Sequence, residues 1–176
     1  MTVNVASDAL KKGVDLISGA VARRPTVPAT GCIKIETLEG GLVRLAANNL
    51  ETALAVLVGA KVSANLAIAI PAKEFADIVR ELPADRVELT PAQGLALALK
   101  SGGFRGTLKG LDAAEFPLVQ SCDKSRAVQL DTAALLAALK EILFSVAPEA
   151  DEARPVLHNV QLIVSAEKPT LMVLVT

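Results

Sequence analysis

Few residues in this sequence are equipped for covalent chemistry. His158 is the only histidine, and no metal-ligand pattern of cysteines or carboxylates surrounds it, so a metal centre is not expected. A Ser-His-Asp arrangement around it stays open, yet no G-x-S-x-G nucleophile turn occurs. Cys32 and Cys122 are far apart, without ligand spacing, and read as reduced, buried thiols. There is no P-loop and no G-x-G-x-x-G; Gly40-Gly41 and Gly102-Gly103 fall between strand-like stretches, where they read as turns. No cofactor is expected, and a binding role is expected over an enzymatic one. The remaining reactive groups are cations. "ARRPTVP" (22–28) and "EARPVLHNV" (152–160) each place Arg-Pro after a helix-like segment. Lys11, Lys12, Lys73, Arg80 and Lys140 lie within such segments. Cations on a helix face can hold phosphates, or they can simply be a solvated surface, and here Asp77 and Glu81 dilute them.

The totals narrow the partners. The chain has 176 residues, 52% of them hydrophobic and 21% charged, which describes a globular protein of one good domain or two small ones. With no Trp, no Tyr and four Phe, the core must be aliphatic, and base stacking on aromatic rings has almost no material. The net charge of −1 excludes a surface that grips phosphates all round, so any nucleic-acid contact must be a local patch. No signal sequence and no apolar run of membrane-spanning length is present, and a cytoplasmic location is expected.

Helical periodicity supplies the elements that would position these side chains. One helix is expected after the N-cap pair Ser7-Asp8, with Leu10, Val14, Ile17 and Val21 on its apolar face. A second is expected from Pro71, a first-turn proline, with Phe75, Ile78, Val79 and Leu82 inward and Pro83 as its stop. A third follows Asp131-Thr132, with Leu135, Leu139, Ile142 and Val146 on one face and Pro148 as its limit. Leu10, Phe75 and Leu135 hold the same place in the pattern, as do Val14, Val79 and Leu139, then Ile17, Leu82 and Ile142. Short alternating strands precede them: "TVNVA", "LAIAI" and "AVQL". Further strands follow: "CIKIETL", "GLVRLAA" and "TALAVLV" after the first helix; "RVELT", "GLALALK" and "FRGTLKG" after the second; "VLHNVQLIVSA" and "TLMVLVT" after the third. The chain therefore reads as α+β, a strand-helix-strand-strand-strand unit written twice and begun a third time, with helices on one face of antiparallel sheets. Two such units make a first domain, residues 1–120, and residues 121–176 are the start of a second. The sequence stops at Thr176 after an apolar strand, whose free edge implies truncation or cover by another copy.

Five stretches, in order, resemble the bacterial DNA polymerase III beta subunit, the replicative sliding clamp: "ARRPTVP", "AANNLETAL", "IPAKEFADIVRELP", "LKGLDAAEFP" and "ILFSVAPEADEARPVL". The resemblance covers the whole sequence, although clamp subunits are about twice as long, with three domains. Asn48-Asn49 stands where the family has Thr-Asp, and Ala29-Thr30-Gly31 is less apolar than usual after Pro28.

The resemblance implies a DNA-clamp fold without chemistry: subunits closing head to tail around duplex DNA, helices lining the hole, and a topological hold that tethers the polymerase. Implied partners are duplex DNA, the catalytic subunit of DNA polymerase III, the clamp loader and further copies in a homo-oligomer, with no membrane. It assigns DNA contact to Arg24, Lys73 and Arg80, with Lys12 and Lys140 as further cations of the lining helices, and leaves Arg154 as a brace of the second domain. Leu157 and Thr176 match positions of the family's partner-peptide pocket, and Leu108 matches its ring interface. Gly106 stands where that interface can carry an aromatic, and Phe104 lies on the same side of the strand. The alternative reading is a clamp-like assembly or decoy module without a replicative role, including a ring of four copies.

Overall fold

The structure, a computed structural model, describes residues 2–83, 85–119, 128–146, 159–164 and 171–175. The chain divides into two compact units, Met1–Ser121 and Cys122–Thr176. In the first unit, β1 (Val3–Ala6) leads into α1 (Ser7–Ile17), followed by β2 (Cys32–Leu38), β3 (Leu42–Asn48) and β4 (Ala53–Val62). The pattern repeats with β5 (Ala67–Pro71), α2 (Ala72–Glu81), β6 (Arg86–Ala92), β7 (Ala96–Ser101) and β8 (Phe104–Lys109), and a short β9 (Leu111–Asp112) closes it.

Local chemistry explains the elements. In β2, Ile33 and Ile35 are buried on one face while Lys34 and Glu36 alternate onto the other. Gly40 and Gly41, at φ +77° and +74°, supply the left-handed backbone that turns β2 into β3. Leu82 ends α2 in an extended conformation, as a residue before proline must. Two start signals differ from expectation. Ser7 lies inside α1 rather than capping it: Ala6 is the N-cap residue, with no side-chain cap, and Ser7 Oγ is buried without a hydrogen-bond partner. Pro71 is the N-cap residue of α2 and the last residue of β5, so the strand and the helix meet without a loop.

All pairings are antiparallel, in the order β8-β7-β6-β1-β4-β3-β2-β5-β9. The order shows how the two repeats interlock. Each contributes a three-strand meander, and its leading strand lies between the two repeats: β1 pairs with β4 and β6, and β5 with β9 and β2. β4 spans the seam, pairing with β3 through Gly59 and with β1 from Ala60 onward. The second repeat does the same across Gly110, where β9 pairs with β5 as the end of β4 pairs with β1. A Cβ there would collide with the carbonyl oxygen of Ala69 and lie 2.7 Å from Ile70 Cδ1, so only glycine lets the chain cross β5 to form β9.

One core results, almost wholly aliphatic. Leu10, Val14 and Ile17 of α1 and Phe75 and Val79 of α2 pack with the inward residues of the strands, among them Val5, Ile35, Leu45, Ile70, Val87 and Leu97. A smaller cluster covers the opposite face, where Phe116 lies over Cys32, Ala46 and Ala69. Asn48 holds that cover: its Nδ2 donates to Leu118 O at 3.2 Å, and its Oδ1 accepts from Leu50 N at 2.8 Å.

In the second unit, α3 (Thr132–Ile142) is capped by Asp131, whose carboxylate accepts from Ala134 N at 2.7 Å. Leu135, Leu139, Ile142 and Val146 are less exposed than Leu136 and Leu143. β10 (Val160–Val164) and β11 (Leu171–Val175) form an antiparallel hairpin pairing Val160 with Val175. The strand expected at "AVQL" does not form among the described residues: 128–130 have no regular structure.

Candidate nucleic-acid interface

The faces of α1 and α2 opposite the core are charged. On α1, Asp8, Lys12, Asp15 and Leu16 are exposed, opposite buried Leu10, Val14 and Ile17. On α2 the exposed residues are Lys73, Glu74, Asp77, Arg80 and Glu81, opposite Ala72, Phe75 and Val79. In the register that matches Leu10 to Phe75, the two stripes have inverted charges. Asp8 corresponds to Lys73, Lys12 to Asp77, and Asp15 to Arg80.

The last of these pairs is in contact. Arg80 Nη2 donates to Asp15 Oδ1 at 3.3 Å, and Arg80 Nη1 lies 3.8 Å from Asp77 Oδ1. Lys11 makes the second link between the helices, donating from Nζ to Leu82 O at 2.7 Å and so satisfying a carbonyl at the C-terminal end of α2. Lys11 is thereby structural, while Lys12, Lys73 and Arg24 are exposed and make no ion pair among the described residues.

The Arg-Pro stretch forms a closed loop after α1. Ala22 N donates to Thr30 O, and Thr30 N and Oγ1 both donate to Val27 O. This accounts for the polar residue after Pro28: Thr30 is buried, with its hydroxyl spent on the loop itself. Pro25 packs on Gly31, where a Cβ would lie 3.0 Å from Pro25 Cγ. Between this loop and the start of α2 is a cleft of about 440 Å³, lined by Ser18, Arg23, Pro25, Gly31, Lys73 and Glu74, among others. Sequence reasoning singled out Arg24, yet Arg23 is the arginine that shares the cleft with Lys73. Both arginines are exposed, and the doubled arginine in the sequence does not say which of them lines the cleft.

The other sequence-derived sites are separate from these helices. Lys140 is exposed in the last turn of α3. Phe104 and Leu108 lie on β8, an edge of the nine-stranded sheet. Leu108 packs against the core, and Phe104 remains 38% exposed. A Cβ on Gly106 would lie 2.9 Å from Phe104 Cζ, so the ring of Phe104 occupies the space beside that glycine. Leu157 and Thr176, with Cys122, Arg154 and His158, lie outside the described residues. Among the described residues, no helix is long and apolar enough to cross a membrane.

Comparison with known proteins places this architecture. The family described as "DNA polymerase III beta subunit, N-terminal domain" matches residues 1–120. No curated protein matches the chain. Among solved structures, the chain is similar to the pol III beta of Caulobacter crescentus, with 25% identity and a TM-score of 0.84, covering 98% of this chain and 47% of that one. It is similar to a sliding clamp from Pseudomonas aeruginosa solved with griselimycin, with 27% identity and a TM-score of 0.81, covering 92% and 43% respectively. The beta subunit of Streptococcus pyogenes shares the fold at 23% identity and a TM-score of 0.85, covering 96% and 45%. The chain thus spans less than half the length of these relatives.

Proposed function

Because the chain belongs to the DNA polymerase III beta subunit family, as the match over residues 1–120 shows, we propose that it is a non-catalytic sliding-clamp subunit. It encircles duplex DNA as part of a ring and tethers the replicative polymerase. Residues 1–120 are the first clamp domain and 121–176 part of the second. The observation that carries this reading is the family match, on a fold with both helices of the first unit on one side of its sheet. A ring holds DNA by topology, so its phosphate contacts need only be weak and indifferent to sequence. The mixed stripes on α1 and α2 suit that demand, with Lys12, Arg24, Lys73 and Arg80 meeting phosphates and Lys140 doing the same from α3. Phe104 and Leu108 serve the contact between subunits, and Leu157 and Thr176 the pocket for partner peptides.

The test is retention on DNA. Protein loaded by a clamp loader onto nicked circular DNA should survive gel filtration at moderate salt and be lost once the circle is linearised. Glu substitutions at Arg24 and Lys73 should reduce loading, and more so as salt rises. Equal retention on circular and linear DNA would remove the topological reading.

A further inference from the structure

Among the described residues of the charged helices, Arg80 is the cation held in ion pairs. Arg80 is shared by two carboxylates, Asp15 across the helix pair and Asp77 one turn back on its own helix. All three side chains are about half exposed, at 54%, 58% and 62% respectively. Ion pairs this open are weak and exchange readily with other partners. A phosphodiester is a competent rival, since a guanidinium binds phosphate oxygens through paired N–H donors. Lys12 and Lys73 have no such internal partner among the described residues.

We propose that Arg80 is an exchange cation, held by Asp15 when DNA is absent and handed to a backbone phosphate when DNA passes, with Asp15 as the competitor that keeps the contact weak. The proposal rests on the duplex-binding reading above and adds a role for an acidic residue that has no place in a simple basic patch. Two features support exchange over a fixed structural bridge. The link between α1 and α2 does not depend on it, because Lys11 already joins them through Leu82 O, and the core below packs both helices together. Asp15 and Arg80 also hold equivalent positions in the two repeats, so the competitor lies beside the cation wherever the duplex approaches that pair.

The experiment is a binding cycle between the intact chain and a short duplex of random sequence, read by fluorescence anisotropy at several salt concentrations. Asp15→Asn should tighten binding about two- to fivefold, the range that loss of a surface ion pair allows. The slope of log K against log salt should change by less than about one unit, since Arg80 meets the same phosphate with or without Asp15. In an Arg80→Gln background, the same Asp15 change should have little effect. Asp8→Asn, which removes another exposed carboxylate of α1, one that makes no ion pair among the described residues, should act alike in both backgrounds. If Asp15→Asn tightens binding equally with and without Arg80, the effect is general charge removal and exchange is wrong. If the unaltered chain binds no duplex even at low salt, exchange falls, while the topological reading stands or falls on retention by circular DNA. If it binds and only the Arg80 dependence is missing, exchange alone falls.

Discussion

At the scale of single residues, burial decides what each reactive group can do. Cys32 is buried at the start of β2, and burial pushes its thiol above the usual value of 9.0, with the nearby Glu74 charge adding to the shift. A thiol held protonated is a poor nucleophile, so Cys32 should resist alkylation in the folded protein and react once unfolded; a Cys122→Ser background isolates it. The same shift links stability to pH. The folded state keeps its proton longer than the unfolded one, so the contribution is full below pH 9.0 and is lost as pH rises through the higher folded value. Urea midpoints should therefore fall more steeply as pH rises from 9.0 for the parent protein than for Cys32→Ala. A parallel decline in both would remove Cys32 as the cause. The buried thiol was legible from the sequence as an isolated cysteine within an alternating strand. The role of Asn48 was not. It was visible only as a departure from the family's Thr, and its use, holding Leu118 O from 70 residues away, depends on a contact no local pattern encodes.

At the scale of elements, apolar periodicity located both helices of the first unit and nearly every strand, because burial on one face imposes a period that survives any choice of side chain. It failed where the backbone itself is the contact. Gly13 sits mid-helix in α1, where propensity disfavours it, and an apolar period gives no reason for it. A Cβ at this site would lie 2.9 Å from Leu45 Cδ1 and 3.1 Å from Val58 Cγ2, so its absence lets α1 approach β3 and β4. Gly13→Val should then destabilise the domain by about 1–3 kcal/mol through overpacking. Gly19, just past α1, has room for a methyl group, with nothing within 4 Å of where a Cβ would lie, and no positive φ. Gly19→Ala should be neutral or stabilising by up to about 1 kcal/mol. Denaturant melts of the two variants check the contrast, and equal effects would mean that packing at Gly13 is not the constraint. The strand expected at "AVQL" is absent among the described residues, 128–130, for a different reason. Four residues of alternating pattern are too few to specify a strand unless a partner is in place.

At the scale of the whole molecule, the repeat was readable and its interlocking was not. Matching helices and flanking strands announced two copies of one unit, which invites a picture of two halves folded side by side. The pairings go further: β1 lies against β6 and β5 against β2, so the two repeats run into one sheet, and Phe75, Val79, Leu10 and Val14 share one core. Which strand pairs with which is set by contacts far apart in sequence, and hydrophobic period carries no information about them. The consequence is measurable. Residues 1–65 contain a full strand-helix-strand-strand-strand unit, yet they would expose the bare edges of β1 and β2 and half a core. A chain that short rarely buries enough to fold unaided. Residues 1–65 and 66–119 should each be largely unfolded by circular dichroism, and mixing them in equal amounts should restore the helix and strand signals, with a cooperative melt. A cooperative melt from residues 1–65 alone would show that the unit is self-sufficient and that the β1–β6 and β2–β5 pairings join two domains already formed.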